Sequence, residues 1–301
     1  MEKAIAILKL DQVRNKVTLK HVGWAIVALK LAIATYFGYL LIVGLQSGAF
    51  EFGERFLWFI LAGFVAQLID GALGMAYGVS CTSLLLWLGI PPKFASASVH
   101  TSEIFTTGVS GLSHIRFDNI DKKLFFQIVV TGSIGAIIGA YFISGFIDGD
   151  VVKPFISFYL LLLGVYLLFK AFKKKQDGEV KKLKRTPLLA FAGGLLDAIG
   201  GGGWGPIVTS NLLSRGKSPR HTIGTVNTAE FFVTYFATAV FIFVLGVQHL
   251  EIVLGLVIGG VIAAPIGAYV ASRINQKALL VMVGVLVVLT SAWGIAAHFI
   301  A

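Results

Sequence analysis

Hydrophobic and polar positions divide this chain into long uncharged runs separated by short charged loops. Asp, Glu, Lys and Arg are absent from Leu31–Phe50, Leu124–Ile147, Phe231–Leu250, Ile252–Ser272 and Ala278–Ala301. Each run is close to the roughly 20 apolar residues that a spanning helix needs. The pattern predicts a first transmembrane helix over 24–45 and three more over 95–115, 124–146 and 152–169. Two apolar stretches are interrupted. Residues 56–90 carry DGALGMAYG halfway, and residues 187–214 carry DAIGGGGWGP. Glycines allow the tight or left-handed backbone that a reversal needs, so each stretch is expected to end one half-helix and begin another. Pro206 suits the first turn of such a restart, where its missing N–H costs nothing.

The interruptions belong to a repeat. At an offset of 127 residues, Asp70 falls on Asp197, Gly74 on Gly201, Gly78 on Gly205, Pro92 on Pro219, Thr101 on Thr228, Glu103 on Glu230 and Phe105 on Phe232. One residue later in the second copy, Gly139–Tyr141 (GAY) returns as Gly267–Tyr269. The chain divides into 1–50, a lead-in and first helix; 51–170, a first repeat with its hairpin at 56–90; 171–186, a basic linker; and 187–301, a second repeat with its hairpin at 187–214.

Charge then sets the orientation. Lys and Arg number five in the first 22 residues and eight from Lys170 to Arg185, which puts both segments on the cytoplasmic side. Between them the chain leaves by the acidic loop with Glu51 and Glu54 and must return, which works if 56–90 enters and comes back on one side. The second repeat then starts inside, its loops fall on the opposite sides from those of the first, and the C-terminus ends outside. The fold class is therefore an all-α polytopic membrane protein: one N-terminal helix and two inverted repeats, each a re-entrant hairpin followed by three transmembrane helices. Inverted repeats are an architecture of secondary transporters.

Composition agrees, with 56% hydrophobic and 13% charged residues. The net charge of +10 sits in loops rather than on a face, so it reports topology and not nucleic acid. Cys81 is the single cysteine, which excludes an intrachain disulfide and a cysteine-ligated metal cluster.

The candidate chemistry lies where the helices break. Irregular backbone at membrane depth survives only inside protein or beside a watery cavity, and two aspartates there need a role. Asp70 and Asp197 either cap the freed N–H groups or serve as protonatable sites, and the two roles are compatible. The restarts near Met75 and Trp204 are expected to offer N–H groups to an anion, placing the passenger between the hairpin tips. On the helices that follow, His100 with Glu103 and Asn227 with Glu230 are spaced i, i+3 and share a face. They either line the cavity or lie near the membrane surface as headgroup contacts and helix–helix hydrogen bonds.

DGALGMAYG and DAIGGGGWGP, each followed after about twenty residues by SASVHTSE and TIGTVNTAE, resemble the sulfite exporter TauE/SafE family of membrane permeases. The resemblance spans about 57–297 and is most specific at GGGGWGP. It implies a secondary transporter, in the exporting direction, for sulfur-containing anions such as sulfite or organosulfonates. Substrate contacts would fall on Gly71, Gly74, Gly78, Thr101, Gly200, Gly201, Gly202, Gly203, Trp204, Asn227 and Thr228. Ser98, Thr225 and Pro206 would stand beside them. Asp70, Asp197, His100, Glu103 and Glu230 are the candidates for proton coupling, an option the residues leave open. The reading calls for no cofactor, no resident metal, no catalytic residue and no nucleic acid. Its partners are the small anion, the lipid bilayer of the bacterial inner membrane, protons if coupling holds, and a homodimer is compatible with it. The alternatives are an anion channel, a metal-cation permease using His100, Glu103 and the aspartates, and an intramembrane aspartyl protease.

Overall fold

Apolar helices of bilayer length, joined by loops of only a few residues, have little choice but to pack side by side. The computed structural model describes residues 17–47, 52–146, 149–173, 185–213, 219–273 and 275–300, and no strand occurs among them. The lead-in before residue 17, most of the basic linker and the 214–218 loop lie outside the described residues.

In chain order the helices are α1 (Leu19–Gln46), α2 (Phe56–Leu73), α3 (Tyr77–Trp87), α4 (Pro92–Arg116), α5 (Lys122–Gly145), α6 (Gly149–Phe172) and α7 (Thr186–Gly200). A π-helical turn (Trp204–Thr209) then leads into α8 (Ser210–Leu213), followed by α9 (Pro219–Leu245), α10 (Leu250–Arg273) and α11 (Gln276–Ile300). Thr18 caps α1 and the Asp121 carboxylate caps α5 by accepting from Leu124 N–H at 3.0 Å. Among the described residues, five helices are long and apolar enough to cross a membrane. α4 is 25 residues long but too polar to be among them. It is buried instead, with Ser96, Ser98, His100, Thr101, Ser102, Glu103 and Thr107 all inside.

Both interrupted stretches fold as hairpins. α2 ends where Gly74 turns left-handed at φ 67°, and α7 ends where Gly201 does so at φ 66°. α3 has only 11 residues, about 16 Å at 1.5 Å per residue, so it is too short to cross about 30 Å of hydrocarbon.

Packing is mutual between the parts of the chain before and after the linker. α2 lies along α10, α5 along α7, α4 along α9 and α6 along α11. Two of these seams depend on missing side chains. A β-carbon on Gly135 would collide with the Phe191 carbonyl of α7, and one on Gly259 with the Ile60 carbonyl of α2. The loops gather at two ends. At one, the Phe94 and His249 rings meet at 4.7 Å and Gly53 lies beside the Glu251 carboxylate. At the other, Arg220 donates to Asn119 Oδ1 and, at 2.8 Å, to the Phe117 carbonyl, while Lys277 Nζ sits 4.5 Å over the Phe172 ring.

Candidate functional site between the two hairpins

The break after α7 leaves N–H groups without helical partners, and the chain supplies its own acceptor. Asp197 Oδ1 accepts from Trp204 N–H at 2.9 Å, and Asp197 Oδ2 lies 3.1 Å from His100 Nε2 on α4. His100 Nδ1 is 2.8 Å from the Ser96 carbonyl oxygen, and Ser96 Oγ donates to the Ala198 carbonyl at 2.6 Å. His100 and Asp197 are 0% and 4% exposed, so this clamp between α4 and the second hairpin is dry. Glu103, one turn on, is 4% exposed. His100, Glu103 and Asp197 present ligand atoms within 4.8 Å of one another, a nitrogen and carboxylate set of the kind that suits a divalent ion.

The break after α2 is built alike but opens differently. Asp70 Oδ1 accepts from Ala76 N–H at 2.8 Å and Tyr77 N–H at 3.2 Å. Asn227 stands at His100's register position, yet its amide nitrogen donates to Ser110 Oγ at 3.2 Å rather than reaching the aspartate. A polar cavity of about 360 Å³ occupies this side, with Asp70 and Gly74 of the hairpin, Thr107 and His114 of α4, and Asn227 and Glu230 of α9 in its wall. A larger void of about 490 Å³ between α1, α5 and α9 has an almost wholly apolar wall, unsuited to a charged solute.

Between these two sides the hairpin tips touch. A β-carbon on Gly202 would strike the backbone of Gly78 and Val79, and one on Gly205 the backbone of Met75. A β-carbon on Gly78 would sit 3.0 Å from Glu103 Oε1 and 3.1 Å from the Gly201 carbonyl oxygen. Thr82 Oγ1 donates to that carbonyl, and Tyr159 OH donates to the Gly202 carbonyl at 3.1 Å. Lys170 of α6 reaches both hairpins, donating to Ser210 Oγ at 2.7 Å and meeting Met75 Sδ at 3.2 Å. Glu103 interacts electrostatically with Asp197, Glu230 and Asp70, and Glu230 with Asp70 and Asp197. Four carboxyl groups thus share one region around the tips.

The profile of the sulfite exporter TauE/SafE family matches residues 59–293, which include both helix breaks and all of these groups. The chain belongs to the TauE/SafE family. It is also 47% identical over 248 residues to "Probable membrane transporter protein YtnM" of Bacillus subtilis (strain 168), a match covering 79% of this chain and 82% of that one. No solved structure matches the chain. Family membership, the relative and the five apolar helices together make this an integral membrane transporter.

The substrate residues expected from the TauE/SafE resemblance separate into groups. Gly74 and Asn227 line the polar cavity, and Gly71 lies in the last turn of α2. Gly78, Gly201 and Gly202 form the touching tips, where Gly200 and Gly203 pack on Tyr159. There is no room between those tips for a passenger, because the glycines are spent on close backbone approach. The N–H groups of Ala76, Tyr77 and Trp204, which a passenger anion was expected to meet, are held by Asp70 and Asp197. Trp204 is fully buried, its indole N–H donating to the Val226 carbonyl at 3.3 Å. Thr101 and Thr228 turn their hydroxyls to the Ala97 and Gly224 carbonyls of their own helices, and Thr225 Oγ1 accepts from Asp121 N–H. Gln67, Ser110 and His114, which also line the cavity, were not anticipated. Thr106, Ser110 and His114 continue the polar face of α4 at i, i+4 spacing, and that is the signal that points to two of them.

Proposed function

We propose that this TauE/SafE protein is a secondary transporter that exports sulfur-containing anions such as sulfite or organosulfonates by alternating access, with proton coupling. The observation that carries the reading is the pair of like-built hairpins meeting over a buried carboxyl cluster, one side sealed and the other opening on a polar cavity. The two parts, 51–170 and 187–301, act as inverted repeats flanking the cytoplasmic linker 171–186. The packing supports this: exchanging the parts maps α2 on α10 onto α7 on α5, and leaves α4 on α9 and α6 on α11 as self-pairs. Lys93 and Arg220 share a register, yet Phe94 meets His249 at one end while Arg220 meets Phe117 at the other. In the bacterial inner membrane the N-terminus and linker face the cytoplasm and the C-terminus faces out. The cavity by Asp70 then opens toward the cytoplasm, and the His100–Asp197 clamp closes the outward path.

In this cycle the anion enters by the polar cavity beside the first hairpin, while Lys170 ties the two hairpins together through Ser210 and Met75. Asp70, Asp197, His100, Glu103 and Glu230 take up and release the proton as the repeats rock. A ligand that binds the two conformations unequally is what shifts them, and exchange of a proton in the carboxyl cluster is such a ligand. Flux in proteoliposomes holding purified full-length protein tests the reading. Sulfite and small sulfonates are expected to move, faster with a proton gradient than without one. Absence of flux for every sulfur anion overturns it. The spacing of His100, Glu103 and Asp197 favours one second reading, a divalent-metal permease. Uptake of zinc or manganese in place of the anions would select it.

A further inference from the structure

The polar cavity beside the first hairpin carries two carboxyl groups, Asp70 and Glu230, and neither lysine nor arginine among the described residues that line it, which is an unusual wall for a simple anion. Asp70 is half-buried and gives Oδ1 to two backbone N–H groups, and its carboxyl keeps lone pairs for a ligand. Glu230 is half-buried too, and no donor among the described residues reaches its carboxyl. Gln67 is 8% exposed, and its Oε1 is buried without a hydrogen-bond partner. The Asn227 amide nitrogen is committed to Ser110 Oγ, leaving its oxygen as a further acceptor. Carboxyl and amide oxygens without donors favour an occupant that brings donors and positive charge.

We propose that this cavity binds the ammonium group of a small zwitterion, so that the passenger is an amino-bearing sulfur anion rather than a simple one. This rests on the transport reading above for the anionic end. An ammonium brings three N–H donors and one positive charge, matching Asp70, Glu230 and the amide oxygen of Asn227. The donors needed for the anionic end lie further along α4. Asn119 Nδ2 is 3.3 Å from His114 Nδ1. An amide nitrogen can only donate, so Nδ1 accepts and the imidazole hydrogen is on Nε2. Ser110 stands one turn, about 5.4 Å, before His114 on the same helix, and its hydroxyl hydrogen is the second donor. A cavity of about 360 Å³ is at the small end of ligand pockets, roughly 300–1,000 Å³, and suits a solute of metabolite size.

The test is calorimetric binding to the full-length protein in lipid nanodiscs with three matched probes: 3-aminopropanesulfonate, 1-propanesulfonate and propylammonium. The zwitterion is expected to bind roughly 10- to 100-fold more tightly than propanesulfonate, the worth of one charge-assisted hydrogen bond. Glu230→Gln keeps the shape of the side chain and should cut that ratio about tenfold. Propanesulfonate binding as tightly as the zwitterion in the unaltered protein overturns the proposal. So does propylammonium binding as tightly, absence of zwitterion binding, or a ratio that Glu230→Gln leaves in place. Flux of sulfite without zwitterion binding removes this inference and keeps the transport reading; zwitterion binding without flux of any sulfur anion does the reverse.

Discussion

At the scale of single residues, the geometry around His100 fixes where a movable proton must be. The Ser96 carbonyl can only accept, so His100 Nδ1 carries a hydrogen, and the 3.1 Å contact between Nε2 and Asp197 Oδ2 needs one more, on either partner. Asp197→Asn keeps an oxygen for Trp204 N–H and gives His100 Nε2 a neutral amide donor. The protein should fold to the same yield, and its flux should lose dependence on the proton gradient; flux measured against pH in proteoliposomes checks this. Asp197→Ala leaves both the Trp204 N–H and His100 Nε2 unpaired in a dry site and should cost about 1–3 kcal/mol of stability, read as a lower Tm in detergent. Much of this site was legible from spacing, because His100 with Glu103 and Asn227 with Glu230 fall on one face of a helix. The partners across the fold were not. Nothing local in the sequence says that His100 meets Asp197 while Asn227 turns to Ser110, or that the aspartates fill the N–H groups an anion was expected to use.

At the scale of elements, the hairpins and their seams depend on glycine for two separate reasons. Gly74 and Gly201 take the left-handed conformation that stops a helix, and this was readable from an aspartate followed by a glycine run. Gly135 and Gly259 instead let a neighbouring helix backbone come close, and only the packed structure distinguishes them from glycines that touch nothing. Gly135→Val pushes a branched side chain against the Phe191 carbonyl, which cannot rotate away as a side chain can. Overpacking of this kind costs about 1–3 kcal/mol or more, so a clear fall in Tm and in flux is expected. Gly38→Ala on α1 meets nothing within 4 Å and should leave both unchanged. The restart after the second break departs from expectation in form. Residues Trp204–Thr209 make a π-helical turn with Pro206 inside it, and only α8 is α-helical. Sequence patterns built on a 3.6-residue period do not register such a turn.

At the scale of the whole molecule, the all-helical architecture and its membrane character were evident from uncharged runs of bilayer length. α4, expected as a transmembrane helix over 95–115, carries polar residues that lower its hydropathy and are buried in the interior. The proposed halves of opposite orientation tie the residue and element accounts together, since a sealed clamp on one side and an open cavity on the other are what one site shared by two repeats presents in a single state. The most direct test uses Lys93 and Arg220, which share a register in the two repeats. With Cys81, which is fully buried, replaced by alanine, single cysteines at these positions are labelled on intact cells with a membrane-impermeant maleimide. The account predicts that Lys93→Cys reacts from outside and Arg220→Cys reacts only once the membrane is opened. Equal labelling of both from the same side would contradict it.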